Sequence, residues 1–297
     1  LPGSATEVAP GIVNPLAGRN FRPPENVGQL LQKVKASMDL VERVLGESIW
    51  RPTPILRMFA EPTQIDRFNR GLDKFGIGEF VDERFPENTC DHLNDVFGSF
   101  LTSRGGWADL PRLKFLVREW LKKLDRLKEE PWDDAAAKNQ KGEAVCFCEG
   151  WQVANNPHWD FIPHNPAKGE MLIVRFEDRL PRDRIYNQSC WIQPIEEDLW
   201  RVGATYSWSN FNSDPSLDGA KDLQERLHLL TPVPFHVVDQ VAGVRPIVED
   251  YHPVIGRHPE HGNWFILNAM GSKGVLQAPA TALSLLEHIT AGKSIPQ

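Results

Sequence analysis

The stretch from Ala242 to Pro279, AGVRPIVEDYHPVIGRHPEHGNWFILNAMGSKGVLQAP, decides how the chain is read. Trp264-Phe-Ile-Leu is a short apolar run of strand length, rich in aromatic and branched residues. Gly271-Ser-Lys-Gly follows at once. From Ala280 to Ile289 apolar residues recur at helical spacing, at Ala280, Leu283 and Leu286, with His288 near the end. The order is loop, strand, glycine loop, helix. Such a loop leaves backbone N–H groups bare at the positive end of a helix dipole, a ready site for an anionic or electron-rich group. The same residues also suit a tight strand–helix turn with no ligand, because a glycine loop alone is a weak signal.

Outward from that stretch, composition sets bounds. A chain of 297 residues suits one large domain or two interleaved ones. Its net charge of −7 gives no basic footprint for nucleic acid or an anionic membrane. No run approaches the ~18 apolar residues of a membrane span, and the start shows no signal-peptide pattern. The cysteines are Cys90, Cys146, Cys148 and Cys190. Cys146 and Cys148 flank Phe147 in an apolar strand-like run, where their side chains are expected on opposite faces. That spacing is not a zinc knuckle. Buried free thiols in a reducing compartment are expected, with the cytoplasm as the default. His252, His258 and His261 cluster in sequence and are expected to be surface residues; no metal site is expected.

Along the chain, Ala9 to Gly18 is rich in Gly and Pro and reads as a loop. Glu25 to Leu45 reads as a helix, with Leu30, Val34, Met38, Val41 and Leu45 on one stripe and Gly46 as its stop. Trp50 to Ala60 reads as a strand interrupted by prolines, hence an edge or a crossover into another sheet. Pro62 to Leu72 is a short polar helix, and Gly76 to Phe100 is irregular. Leu110 to Lys128 is a strong amphipathic helix with Asp109 as N-cap and Pro111 near its first position. Asp133 to Gly142 is a charged connection. Glu143 to Trp151 reads as a buried strand ending in glycine. Gly169 to Phe176, Cys190 to Ile195 and Leu199 to Trp208 read as three strands of an antiparallel sheet, a plausible floor for a substrate pocket. Asp218 to Leu230 is an amphipathic helix and Phe235 to Ala242 a further strand. No G-x-S-x-G elbow, H-E-x-x-H, paired cysteine pairs or P-loop occurs, so hydrolase and metalloenzyme readings have little to stand on.

Three motifs in matched order then carry a resemblance: GVRP at Gly243 to Pro246, HPVIGRHP at His252 to Pro259, and NAMGSKGVLQAPA at Asn268 to Ala280. Together they resemble the C-terminal end of flavin-dependent amine oxidases, the D-amino acid oxidase and glycine oxidase superfamily. The resemblance implies an α/β (α+β) chain in which a Rossmann-like FAD-binding domain interleaves with an antiparallel-sheet substrate domain. It places 1–48, 107–150 and 236–297 in the first and 49–106 and 151–235 in the second. The segment from Ser4 to Arg19 resembles the one that follows the ribose-binding acidic residue in these flavoproteins. No G-x-G-x-x-G precedes it here. The opening βαβ unit of about 30 residues is therefore expected to be missing.

The resemblance also implies roles. FAD is the expected cofactor and a small amine or amino acid the expected substrate. Cofactor contacts are expected from Ser4, Thr6 and Gly11, from Gly150 and Gly256, and from Gly271, Ser272, Lys273, Gly274 and Val275. Lys273 is the catalytic candidate: with the neighbouring amides it would stabilise negative charge on the reduced ring, or it is a solvated turn residue. Arg245 would pair with a substrate carboxylate, or hold its own loop through backbone carbonyls. The loop at Ala9 to Gly18 passes beside the flavin or is a frayed end, and Gly150 lies near the cofactor or merely ends a strand. No general base is implied, since a neutral amine gives up hydride without one. Two alternatives stand beside this reading. One is a tRNA-modifying flavin oxidase, which a gel shift with tRNA would reveal. The other is a truncated, non-catalytic remnant or partner subunit, which would purify without yellow colour. Without the fingerprint glycines the polypeptide is expected to bind FAD weakly or not at all; sub-micromolar binding by isothermal titration would refute this.

Overall fold

The computed structural model describes residues 3–24, 26–131 and 143–295. The expected connection at Asp133 to Gly142 lies outside them. The largest of three sheets has eight strands. In spatial order they are β12 (Phe235–Arg245), β8 (Ala167–Phe176), β11 (Leu199–Gly203), β10 (Trp191–Pro194), β9 (Ile185–Asn187), β3 (Ile55–Met58), β5 (Ser99–Thr102) and β4 (Glu83–Phe85). Every pair is antiparallel except β9 with β3. A second, antiparallel sheet runs β1 (Ile12–Val13), β6 (Gly106–Ala108), β2 (Trp50–Pro52). The third joins β13 (Val254–Arg257), β14 (Trp264–Asn268) and β7 (Val145–Phe147), with β14 parallel to β7. Among the described residues there are six α-helices, α1 (Ala5–Val8), α2 (Val27–Leu45), α3 (Pro62–Phe75), α4 (Leu110–Lys123), α5 (Leu217–Leu230) and α6 (Gly274–Ala291), and three short 3-10 helices.

The two faces of the large sheet do different things, because alternate residues of a strand point opposite ways. One face buries Leu56, Leu172, Val174, Ile192, Trp200 and Val202 against Leu223, Leu227 and Leu230 of α5. The other face carries Arg57, Asn187, Gln193 and Arg201, which pair in register as Gln193 with Arg201 and Arg57 with Asn187. Three of these donate to the segment that crosses them. Arg201 Nη1 reaches the Ala9 carbonyl at 3.3 Å, Gln193 Nε2 that of Pro10 at 3.0 Å, and Arg57 Nη2 that of Gly18 at 2.9 Å. Arg57 is almost wholly buried and also lies 5.0 Å from the Phe21 ring centroid. Burial pulls its pKa down to about 10. Gly11 closes the same segment onto β6. A Cβ there would sit 2.0 Å from the Ala108 carbonyl oxygen at φ +66°, so only glycine fits.

Several local readings hold. The Asp109 side chain accepts from Arg112 N at 3.0 Å and caps α4. Gly46 ends α2 in the left-handed conformation, and Leu30, Val34 and Met38 are buried along its stripe. Pro52 and Pro54 divide the Trp50 stretch into β2 and β3, which lie in different sheets.

Others are corrected. The helix expected to reach Lys128 stops at Lys123, where Asp125 turns left-handed at φ 53°. The β-rich stretch holds a fourth strand, β9, too short at three residues for alternation to register. Helix α6 starts at Gly274 rather than Ala280 and contains Pro279. At the sixth helical position Pro279 leaves the Val275 carbonyl without its helical donor. Leu283 and Leu286 are exposed, whereas Leu276 and Leu285 are buried; the helix is apolar on several sides, so spacing did not single out the packed one. Cys146 and Cys148 are exposed, not buried, and only Cys190 is fully buried. Their sulfurs lie 3.7 Å apart, on one face, because residues two apart in a strand share a side. His258 is buried as well: its Nε2 faces the His158 carbonyl at 2.8 Å and its Nδ1 accepts from Glu260 N and His261 N.

Glu42 on α2 ties this helix to β2. Burial opposes its charge, but the Trp50 and Ile49 amides, at 2.7 and 2.6 Å, with the Ser48 hydroxyl hold its pKa below the ordinary value. A carboxylate depressed in the folded state stabilises above its unfolded pKa and loses that contribution as pH falls through the folded one. Between about pH 5 and 3, the urea midpoint of the native chain is expected to fall further than that of Glu42→Gln.

Candidate functional site

Strands β7 and β14 are parallel, so their carboxyl ends open on the same side. In open α/β sheets this is where ligands bind. Gly150 follows β7, and Ala269 to Lys273 follow β14 and lead into α6. Asn268, buried at the end of β14, fastens the two: its Nδ2 donates to the Gly150 carbonyl at 3.1 Å and its Oδ1 accepts from Ala269 N at 2.7 Å. Gly150 has φ +61° and a Cβ there would meet nothing within 4 Å, so open space borders it.

The glycine turn itself is held from behind. Gly271 N donates to the Pro246 carbonyl at 2.9 Å. The first helical bond of α6 runs from Gln277 N to the Lys273 carbonyl at 3.0 Å. The N–H groups of Gly274, Val275 and Leu276 therefore have no helical acceptor. Ser272 and Lys273 are exposed, and Lys273 has no carboxylate partner among the described residues. This is the bare-amide turn that the spacing of Gly271 and Gly274 anticipates, with a cation at its mouth.

Arg245 arrives beside it as the last residue of β12. Its Nη1 donates to the Lys168 carbonyl and its Nη2 to that of Thr205, each at 3.3 Å. The guanidinium lies 4.7 Å from the Tyr206 ring centroid. Burial lowers its pKa, while the facing Tyr206 raises it; an arginine keeps its charge under such a shift. Burial likewise raises the Tyr206 phenol. Gly169, on the neighbouring β8, makes room for this group: a Cβ there would lie 2.1 Å from Arg245 Nη2. Tyr206 and Trp208 rings stand 5.0 Å apart, and Tyr251 lies 6.3 Å beyond, so an aromatic wall flanks the guanidinium.

The remaining expected contacts are distributed. Ser4 bridges to Val244, next to Arg245. Thr6 is exposed on α1. Gly11 is sealed against Ala108, and Gly256 lies inside β13 opposite Ile266, away from the strand end. An open cavity of about 590 Å³ lies elsewhere, lined by Gly3, Glu7, Lys114, Ser213 and Gln240. It borders the Ser4 segment and not the glycine turn. Residues that spacing did not point to are Asn268, Gly169 and Tyr206; each acts through a partner distant in sequence.

A model of the FAD dependent oxidoreductase family matches residues 1–287. The chain belongs to that family. It is 31% identical to glycine oxidase of Bacillus subtilis (strain 168) over 134 residues, 44% of this chain and 36% of that protein. With glycine oxidase of Bacillus licheniformis it shares 34% over 127 residues, 42% of this chain and 34% of that protein. The matched stretch thus spans about a third of these curated relatives. A tRNA 5-methylaminomethyl-2-thiouridine biosynthesis bifunctional protein from Marinobacter nauticus matches at 20% identity over 85% of the chain and 44% of its own length. Among solved structures, glycine oxidase from Geobacillus kaustophilus superposes with a TM-score of 0.81 at 21% identity, covering 98% of this chain and 85% of that one. Iminodiacetate oxidase from Chelativorans superposes at 0.80 and 16% identity, covering 100% and 88%. The mixed α/β fold is theirs.

FAD is the cofactor of this family, and the turn fits it. Bare amides at Gly274 to Leu276, the Lys273 cation and the open space at Gly150 suit the electron-rich edge of a flavin ring. Asn268→Ala is expected to lower stability by about 1–3 kcal/mol in urea unfolding, since the Gly150 carbonyl and Ala269 N–H lose a partner.

Proposed function

We propose that this chain oxidises a C–N bond of an amine or amino acid with FAD. One observation carries the reading: the Gly271 N–H bond to the Pro246 carbonyl joins the bare-amide turn to the residue that follows Arg245. The curated relatives named glycine oxidase and the fold neighbour named iminodiacetate oxidase support the substrate class. When bound, FAD supplies a two-electron acceptor for a hydride from the carbon that bears the nitrogen. The Lys273 cation and the bare amides of Gly274 to Leu276 would hold negative charge on the ring, in the manner of an oxyanion hole; the Gly271 and Lys273 amides, expected to share this role, are instead bonded to the Pro246 and Met270 carbonyls. Arg245 keeps N–H donors beyond the two it gives to backbone carbonyls, and these take a substrate carboxylate. Tyr206 lies over the guanidinium and holds it by a cation–π contact. Gly150 lets the chain approach the cofactor closely. Ser4 and Thr6 approach it from the N-terminal segment; Gly11 and Gly256 serve it indirectly, by shaping the segment and the strand on which it rests.

We also propose the two-part division given by the motifs, amended in one respect. Strand β12 pairs along its length with β8, so residues 236–245 move as part of the large sheet. No helix among the described residues is long and apolar enough to cross a membrane, and the four cysteines are unpaired. Free thiols support a cytoplasmic location.

At saturating FAD, anaerobic addition of an amine or amino acid is expected to bleach the flavin absorption. Bleaching by a hydroxy acid or glycerol phosphate and by no amine would overturn the reading. Arg245→Met is expected to raise KM for a carboxylate-bearing substrate about 10- to 100-fold, leaving a carboxylate-free amine unaffected.

A further inference from the structure

Strand β7 carries a pair of thiols that the proposed oxidation does not use. Cys146 lies in the strand and Cys148 one residue past its end, and both are exposed. Between them Phe147 points the other way and is buried with Trp159 and Trp264. The Sγ atoms stand 3.7 Å apart, already in contact. Residues two apart in a strand have Cα atoms about 6.6–6.8 Å apart, at the upper end of the separation a disulfide spans. Cys146 is held by the ladder opposite Phe265, whereas Cys148 has left it, so closing the sulfurs asks only the strand's free end to move.

We propose that Cys146 and Cys148 form a reactive dithiol that hydrogen peroxide converts to an intrachain disulfide. The Cys146 thiolate attacks one peroxide oxygen, the O–O bond breaks, and hydroxide leaves and is protonated to water. Cys146 is then a sulfenic acid. The Cys148 thiol attacks that sulfur, its proton passing to the departing hydroxyl, which leaves as a second water as the S–S bond forms. Two thiols and one peroxide thus become one disulfide and two waters, and thiols restore the pair by exchange. The roles of the two sulfurs follow from their surroundings. The hydrogen bond between the two sulfurs lowers the Cys146 pKa against the effect of burial, and with burial raises that of Cys148. An accessible thiol in contact with a second, resolving thiol is the arrangement peroxide oxidises first. The other thiols are protected: burial pushes Cys190 up to about 12 and raises Cys90. The pair immediately precedes Glu149 and Gly150, so oxidation registers at the rim of the candidate site.

The folded chain is treated with a slight excess of hydrogen peroxide, then denatured and alkylated for mass spectrometry. Alkylated cysteines are expected to fall from four to two, with the loss confined to the peptide holding Cys146 and Cys148 and reversed by dithiothreitol. A Cys90→Ser, Cys190→Ser double variant is expected to lose both its remaining thiols. Cys148→Ser is expected to form no disulfide and to leave a dimedone-reactive sulfenic acid on Cys146. Four thiols surviving peroxide, a disulfide joining two chains on a non-reducing gel, or one involving Cys90 or Cys190 would overturn the proposal.

Discussion

The hydrogen bond from Gly271 N to the Pro246 carbonyl, at 2.9 Å, is the point on which the candidate site depends. Proline ends the long β12–β8 ladder because it has no N–H to give. Its carbonyl remains, and the glycine turn uses it. One bond therefore joins the last residues of the large sheet to the entrance of α6. Arg245 belongs to the first element and the bare amides to the second, and the proposed site needs both.

The rest of the site is built by subtraction. Gly169 has no side chain where the Arg245 guanidinium lies, and Gly150 has none where open space is kept. Arg245 occupies two of its donors on backbone carbonyls, which makes it both structural and available. The two roles posed for it from sequence are thus compatible, since a guanidinium carries five N–H groups.

Much of this was legible because it is local. The Asp109 cap, the Gly46 stop and the proline crossover at Pro52 and Pro54 are signals read within one or two turns of chain. What was not legible depends on register. Gly169 gains its meaning only when β8 lies against β12, and Asn268 only when β14 lies beside β7. The start of α6 was not legible because its first turn overlaps the glycine loop and apolar spacing shows only from Ala280 on, past Pro279 inside the helix. The thiol pair at Cys146 and Cys148 was misplaced for a simpler reason: strand periodicity, applied correctly, puts both on one side.

Donors from β11, β10 and β3 together grip the Ala9 to Gly18 segment through its carbonyls. Those strands lie in one continuous sheet, so the segment is fastened to a single elastic plate at three separated points. A change in the plate's twist would carry the segment with it as a rigid strip rather than letting it flap independently. Anything that lies against that strip would therefore sense the curvature of the sheet beneath it.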